Sequence, residues 1–319
     1  MIHRVPFRTL TRLSVLVALA CQGPPGDAPG EEPATPRPGA EEAAVGSSFF
    51  RDVSATHLPG GALDGPSMDA AVADIDGDGD LDIVIVSEDD QTNELYLNDG
   101  AGAFTDESAR IPVTGTTNGL AVADLNGDGA PDVLLANNGQ DAVIINDGSG
   151  HFRDETQARL PVSLDVTQDV ELGDVDGDGD LGILFANVSA FVEGADPRNR
   201  LLINDGNGVF TDETDARLPP DTESSFDGDF RDLDGDGDLD ITTGNSDTDL
   251  SQRRIAPALF RAYLNDGSGR FTEATLQVFG EGVTGTGLDL EFGDFDGDGL
   301  EDVYLASRGT ADRLLLRVR

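Results

Sequence analysis

The sequence predicts an all-β fold, a β-propeller of five four-stranded blades, on three observations. A nine-residue aspartate run of the form DxDGDGxxD recurs five times in the 319 residues. An Asn-Asp-Gly motif with a following Gly recurs four times between apolar runs, which is a strong hairpin signal. The two motifs alternate, and successive aspartate runs start 50, 50, 58 and 62 residues apart, the length of one blade.

The aspartate runs begin at Asp74, Asp124, Asp174, Asp232 and Asp294. In the first, Asp74, Asp76 and Asp78 stand at positions 1, 3 and 5, the backbone carbonyl of Asp80 serves at 7, and Asp82 closes at 9. Calcium takes six to eight oxygens, and alternating carboxylates on a tight loop supply them. The other sets are Asp124, Asn126, Asp128, Ala130 and Asp132; Asp174, Asp176, Asp178 and Asp180; Asp232, Asp234, Asp236, Asp238 and Asp240; and Asp294, Asp296, Asp298, Leu300 and Asp302. Asn126 offers a neutral oxygen. Gly182 replaces the ninth aspartate of the third run, so up to five calcium ions are expected, with loop 174–182 the weakest site.

An EF-hand needs a bidentate Glu at position 12 and flanking helices. Here position 12 is Ile85, Leu135, Phe185, Thr243 or Leu305, and residues such as Ile83 to Val86 make β-branched runs of strand length. The loops therefore join strands, and the ninth-position Asp is expected to take the bidentate role.

The hairpin motifs are Asn98-Asp99-Gly100 with Phe104, Asn146-Asp147-Gly148 with Phe152, Asn204-Asp205-Gly206 with Phe210, and Asn265-Asp266-Gly267 with Phe271. After each Phe a polar strand such as Thr211 to Thr214 follows. One unit thus reads strand, metal loop, strand, variable loop, strand, hairpin, strand. Arg313 to Val318 matches the third strand of a unit, and Phe50 to Ser54 matches a fourth. The N-terminal strand is therefore expected to close the last blade and hide its edge.

These motifs, from about Phe49 to Arg319, resemble the FG-GAP or VCBS repeats shared by integrin alpha-subunit propellers and many bacterial surface proteins. The resemblance implies calcium loops between the first two strands of each blade. Integrin-type propellers usually have seven blades, so five departs from that pattern, and a curved open array is the alternative.

The net charge is −42, and 22 of the 62 acidic residues lie inside the five runs. Nucleic acid is excluded as a partner, because binding a polyanion needs basic patches. Every basic side chain is Arg, which removes Schiff-base chemistry. Arg4, Arg8 and Arg12 precede an apolar stretch from Leu13 to Ala20, which reads as an export signal over residues 1–20. Ala18-Leu19-Ala20-Cys21 resembles a bacterial lipobox with Cys21 lipidated. Residues 21–47 are Pro-, Gly- and Glu-rich and read as a tether, with the folded domain at 48–319. The expected location is a lipid anchor at the outer membrane or cell surface, or else the periplasm or medium.

His57 aligns with Arg110, Arg159 and Arg217 of other units, and His151 falls at a variable hairpin position, so neither reads as catalytic. No enzyme is expected. The chain reads as a monomeric adhesion module for a protein or glycan, with a calcium-stiffened scaffold as the alternative and a lectin or carbohydrate-active enzyme behind it. The absence of Trp weakens the lectin reading. The long variable loops, Asn187 to Arg200 and Asn245 to Arg261, carry Arg198, Arg200, Arg253 and Arg254, the expected docking point for an anionic partner.

Overall fold

The computed structural model describes residues 50–59, 66–88, 92–189, 195–220, 223–249, 254–256, 260–283, 286–308 and 311–318. The leader, the tether, Cys21 and Arg253 lie outside the described residues.

A short helix α1 (Ser54–His57) precedes five antiparallel sheets. The first is β1 (Ser67–Ala73), β2 (Asp82–Ser87), β3 (Glu94–Asn98) and β4 (Phe104–Asp106), paired in that order. The second is β5 (Thr117–Ala123), β6 (Asp132–Asn137), β7 (Ala142–Asn146) and β8 (Phe152–Asp154), followed by α2 (Thr156–Arg159). The third is β9 (Thr167–Gly173), β10 (Gly182–Asn187), β11 (Arg200–Asn204) and β12 (Phe210–Asp212), followed by α3 (Thr214–Arg217). The fourth is β13 (Ser224–Arg231), β14 (Asp240–Asp249), β16 (Phe260–Asn265) and β17 (Phe271–Glu273), with β15 (Arg254–Ala256) paired to the far end of β14; α4 (Thr275–Phe279) follows. The fifth has three strands, β18 (Thr286–Gly293), β19 (Asp302–Arg308) and β20 (Arg313–Leu315). Each aspartate loop joins the first two strands of its sheet, and each Asn-Asp-Gly motif joins the last two of a four-stranded sheet, as expected.

The sheets stack through their apolar faces rather than around one common core. Ile75, Val84 and Leu95 of the first sheet pack with Leu120, Val133 and Ile144 of the second. The same layer recurs between the second and third, third and fourth, and fourth and fifth sheets. Each fully buried aliphatic side chain contributes about 1.5–3 kcal/mol. First strands of successive sheets lie together, β1 on β5, β5 on β9, β9 on β13 and β13 on β18. Each first strand carries a register shift just before Asp69, Gly119, Asp169, Asp227 or Asp289. There Asp69, Asp169 and Asp227 accept the N–H of Leu120, Gly228 and Leu290 on the next sheet.

Two repeated devices also tie neighbouring sheets. The Asn146 Nδ2 donates to the carbonyls of Pro131 in its own sheet and Ile75 in the previous one, at 3.1 and 2.8 Å. Asn204 and Asn265 reach Leu125 and Val175 in the same way. Arg110, Arg159 and Arg217, each held by a Glu one turn earlier, donate to the carbonyls of Ser149, Asn207 and Ser268 in the next hairpin. We expect Asn146→Ala to lower stability to urea by roughly 3 kcal/mol, because it strands several buried partners. Asn98 is half-buried and its Nδ2 bonds only Leu81 within its own sheet, so Asn98→Ala should cost less.

Two expectations are corrected. The fourth strands have three residues instead of running on to Thr214. Asp212 accepts the backbone N–H and hydroxyl of Thr214 and turns the chain into α3, and Asp154 accepts the N–H of Thr156 at the start of α2. Nor does Phe50 to Ser54 pair with the fifth sheet: residues 50–53 make no strand, Ser54 opens α1, and Phe50 is 91 % exposed. The other Phe strands fold back through a tight hairpin, whereas this pairing must close a loop across the whole array, at greater entropic cost. His57 nonetheless takes the place of the repeated arginines: it lies over Gly102 as Arg110 lies over Gly150.

Candidate metal centres and interaction loops

Within each aspartate loop the turn is set by the first carboxylate. Asp74 Oδ2 accepts the N–H of Gly79 at 3.0 Å, and Asp174, Asp232 and Asp294 hold Gly179, Gly237 and Gly299 alike. Gly79 has φ +96°, which only glycine adopts without strain. These turns draw carboxylate oxygens together in four loops: Asp74, Asp76 and Asp78; Asp174, Asp176 and Asp178; Asp232, Asp234 and Asp240; and Asp294, Asp296 and Asp302, each set within 4.8 Å. Several clusters are thus arranged to hold a metal ion.

Loop two is different. Asn126 turns its Nδ2 to Asp128 Oδ2 at 3.0 Å, so the amide bridges the loop internally. Loop three keeps its triad despite Gly182, but Arg217 Nη2 already sits 3.1 Å from Asp176 Oδ2. In loop one, Asp74 Oδ1 and Asp76 Oδ1 are buried and accept no hydrogen bond. Leaving carboxylate oxygens so placed is costly unless a cation faces them.

At position 7 the side chains turn away from the loop. A Cβ added at Gly206 or Gly267 would lie 2.6 Å from the Asp180 or Asp238 carboxylate, so these side chains rest on their own hairpins. Ala130 and Leu300 offer no side-chain oxygen at that position in any case, which fits a carbonyl ligand.

The ninth aspartates hold the strands as well as the loop. Asp82 Oδ2 accepts the N–H of Ile75 and Oδ1 that of Asn98, both at 2.8 Å. Asp132 holds Leu125 and Asn146, Asp240 holds Leu233 and Asn265, and Asp302 holds Phe295 and Arg317. All four are buried, and burial raises Asp82 and Asp240 and pushes Asp132 up to about 6, against these hydrogen bonds. Each carboxylate oxygen has a second lone pair, so strand-holding and metal ligation are compatible. Sequence spacing pointed to the ligand role and missed the clasp.

The inner-strand aspartates were missed too, although one stands five residues before four of the five runs. Asp227 is raised well above the usual range by burial, and then by the carboxylates of Asp229, Asp169 and Asp289.

The long loops follow β10 and β14, the second strands of adjacent sheets. That of the fourth sheet extends as the β14–β15 ribbon, with Asp249 opposite Arg254. Arg198 and Arg200 border a groove of about 540 Å³. Arg200 is held by Asp212 at 3.0 Å and by Asp165 at 3.5 Å, and Arg198 pairs with Asp215. The two guanidinium groups are therefore committed to carboxylates and do not present a basic patch. His151 bonds Ser149 on the hairpin surface.

A search of solved structures finds three neighbours among others. A lectin of Agrocybe aegerita, described by its recognition of non-reducing terminal N-acetylglucosamine, is 19% identical over 77% of this chain and 61% of its own, with a TM-score of 0.46. The Photorhabdus luminescens Tc holotoxin pore is 21% identical over 81% and 11%, at 0.40, and the V. cholerae biofilm matrix protein Bap1 is 17% identical over 73% and 42%, at 0.36. The chain spans less than two thirds of each of these structures. Comparison with curated protein sequences finds no match. The FG-GAP-like repeat family matches residues 74–135, 124–185, 188–243 and 245–305, most of the described sheets. On these matches and the repeated loops within them, the chain belongs to the FG-GAP-like repeat family.

Proposed function

We propose that the chain is an exported, calcium-braced interaction module without catalytic activity, its five sheets closing as the blades of a propeller. The observation that carries the calcium reading is the pair of buried oxygens without hydrogen bonds, Asp74 Oδ1 and Asp76 Oδ1, inside a three-carboxylate cluster. Bound calcium would supply positive charge and coordination there. Asp74, Asp76 and Asp78, with Asp82 behind them, would then tie the β1–β2 connection to the hairpin at Asn98. Loop three, lacking the ninth carboxylate and sharing Asp176 with Arg217, is expected to bind most weakly among the gathered loops.

Closure is supported by two features at the ends of the array. Phe295 is 52 % exposed, whereas its equivalent Ile75 is fully buried beneath the hairpin of the next sheet. Helix α1 and His57 already occupy, ahead of the first sheet, the places that α2 and Arg159 occupy ahead of the third.

The interaction reading rests on long loops borne by a repeated scaffold that brings no catalytic set together among the described residues. The lipid anchor and surface location rest on the leader and Cys21. Capture of surface proteins and glycans by the immobilised chain tests the function. Specific capture that is lost in EGTA is expected; turnover of a captured substrate, or no capture in calcium, would overturn it.

A further inference from the structure

We infer that the groove along the third sheet is a docking site for a cationic, aliphatic peptide segment. This deepens the interaction-module reading and rests on it. The groove lies between the 161–165 connection and the strands that carry Arg200 and Asp212, and at about 540 Å³ it has the size of a ligand cleft.

Its charged side chains largely pair with one another, and Arg198 Nε, which has no hydrogen-bond partner, is buried away from a ligand. Asp212 takes the Thr214 hydroxyl and Arg200 Nε, Asp165 takes the Ser163 hydroxyl and Arg200, and Arg198 is bound to Asp215. A saccharide would have to break these pairs to gain hydrogen bonds, and an anion would find both arginines neutralised. Two other properties remain for a ligand. With Asp196, four carboxylates face two guanidinium groups, so the lining is negative on a chain of net charge −42. Val162 and Leu164 stand in the same lining at 88 % and 77 % exposure, separated by buried Ser163, so both point outward. Aliphatic contact beside uncompensated negative charge fits a peptide that alternates basic and apolar side chains, steered in by charge and held by apolar burial.

The test uses the full chain and three probes: a labelled peptide alternating Arg and Leu, its counterpart with Glu for Arg, and a neutral N-acetylglucosamine oligomer. We expect the Arg-Leu peptide to bind, more weakly as salt rises, and the other two not to bind. Val162→Ser with Leu164→Ser should weaken peptide binding about tenfold or more, with no change in the unfolding midpoint because both side chains are exposed. Asp215→Asn should weaken it further and reduce the salt dependence. Binding that ignores the Val162 and Leu164 changes would be general attraction to an acidic molecule and would overturn the groove assignment. So would absence of peptide binding, or preference for the saccharide or the acidic peptide. Calcium-dependent capture of a partner that survives these substitutions would defeat the groove alone and leave the interaction module standing.

Discussion

Removing free calcium with EGTA lowers the thermal unfolding midpoint of the chain by roughly 10 to 20 °C at low ionic strength. Modules of this kind bind calcium with dissociation constants of about 10⁻⁴ to 10⁻³ M outside the cell. At tenfold excess each independent site adds about 1.4 kcal/mol by mass action. The four gathered loops together then approach 6 kcal/mol, a large part of a typical stability of about 5–15 kcal/mol. A domain of this size shifts by about 2–4 °C for each kcal/mol. Stripped loops leave carboxylates within 4.8 Å of one another, so added salt should recover part of the loss by screening. An unchanged midpoint in EGTA would end the bracing account.

Asp141→Asn stabilises the chain above neutral pH and leaves it nearly unchanged at pH 4. The reason lies in a network repeated between sheets. Asn93 accepts the N–H of Ser87 and donates to Thr117, which donates to Asn137; Asn199 accepts from Asn187 and donates to Ser225, which donates to Asn245. In the second sheet the same place is held by Asp141, which accepts the Asn137 N–H at 3.0 Å, while Thr167 already donates to Asn187. Asp141 Oδ2 is buried without a hydrogen-bond partner, where its counterparts carry an NH₂ donor. A protonated carboxyl restores that donor. Burial accordingly pushes Asp141 up to about 7, with the Asn137 N–H and the Arg200 charge opposing and Asp165 reinforcing the rise.

An unfolded Asp titrates near 4, so the folded chain holds the extra proton between about pH 4 and pH 7. Stability from this group is complete below about pH 4 and is lost as pH rises through about 7. The full loss is of order 4 kcal/mol at about 1.4 kcal/mol per unit. Urea denaturation at pH 4, 6 and 8 should show the gap between Asp141→Asn and the parent chain opening over this range. A gap constant with pH would mean that Asp141 is ionised in the folded state.

What could be read from the sequence was whatever repeats with a local cause. The aspartate loops, the hairpins and the strands between them depend on residues within a few positions of one another, and each stands where spacing placed it. Interactions between units were harder to read. Asn146 reaching Ile75 and Arg159 reaching Asn207 join residues tens of positions apart, and only the stacking of sheets brings them together. The arginines of the long loop were legible as positive charge, but their neutralisation by Asp165, Asp212 and Asp215 depends on the fold. Closure by Phe50 to Ser54 was inferred from motif identity alone, which does not reflect the entropy of joining distant ends.

Calcium bracing stands or falls on metal in the repeated aspartate loops. Anomalous diffraction from crystals of the chain grown in millimolar calcium tests it directly. We expect a peak about 2.3–2.6 Å from Asp74 Oδ1 and Asp76 Oδ1, with further peaks at the clusters begun by Asp232 and Asp294 and a weaker one at Asp174. A map without peaks in these loops would contradict it.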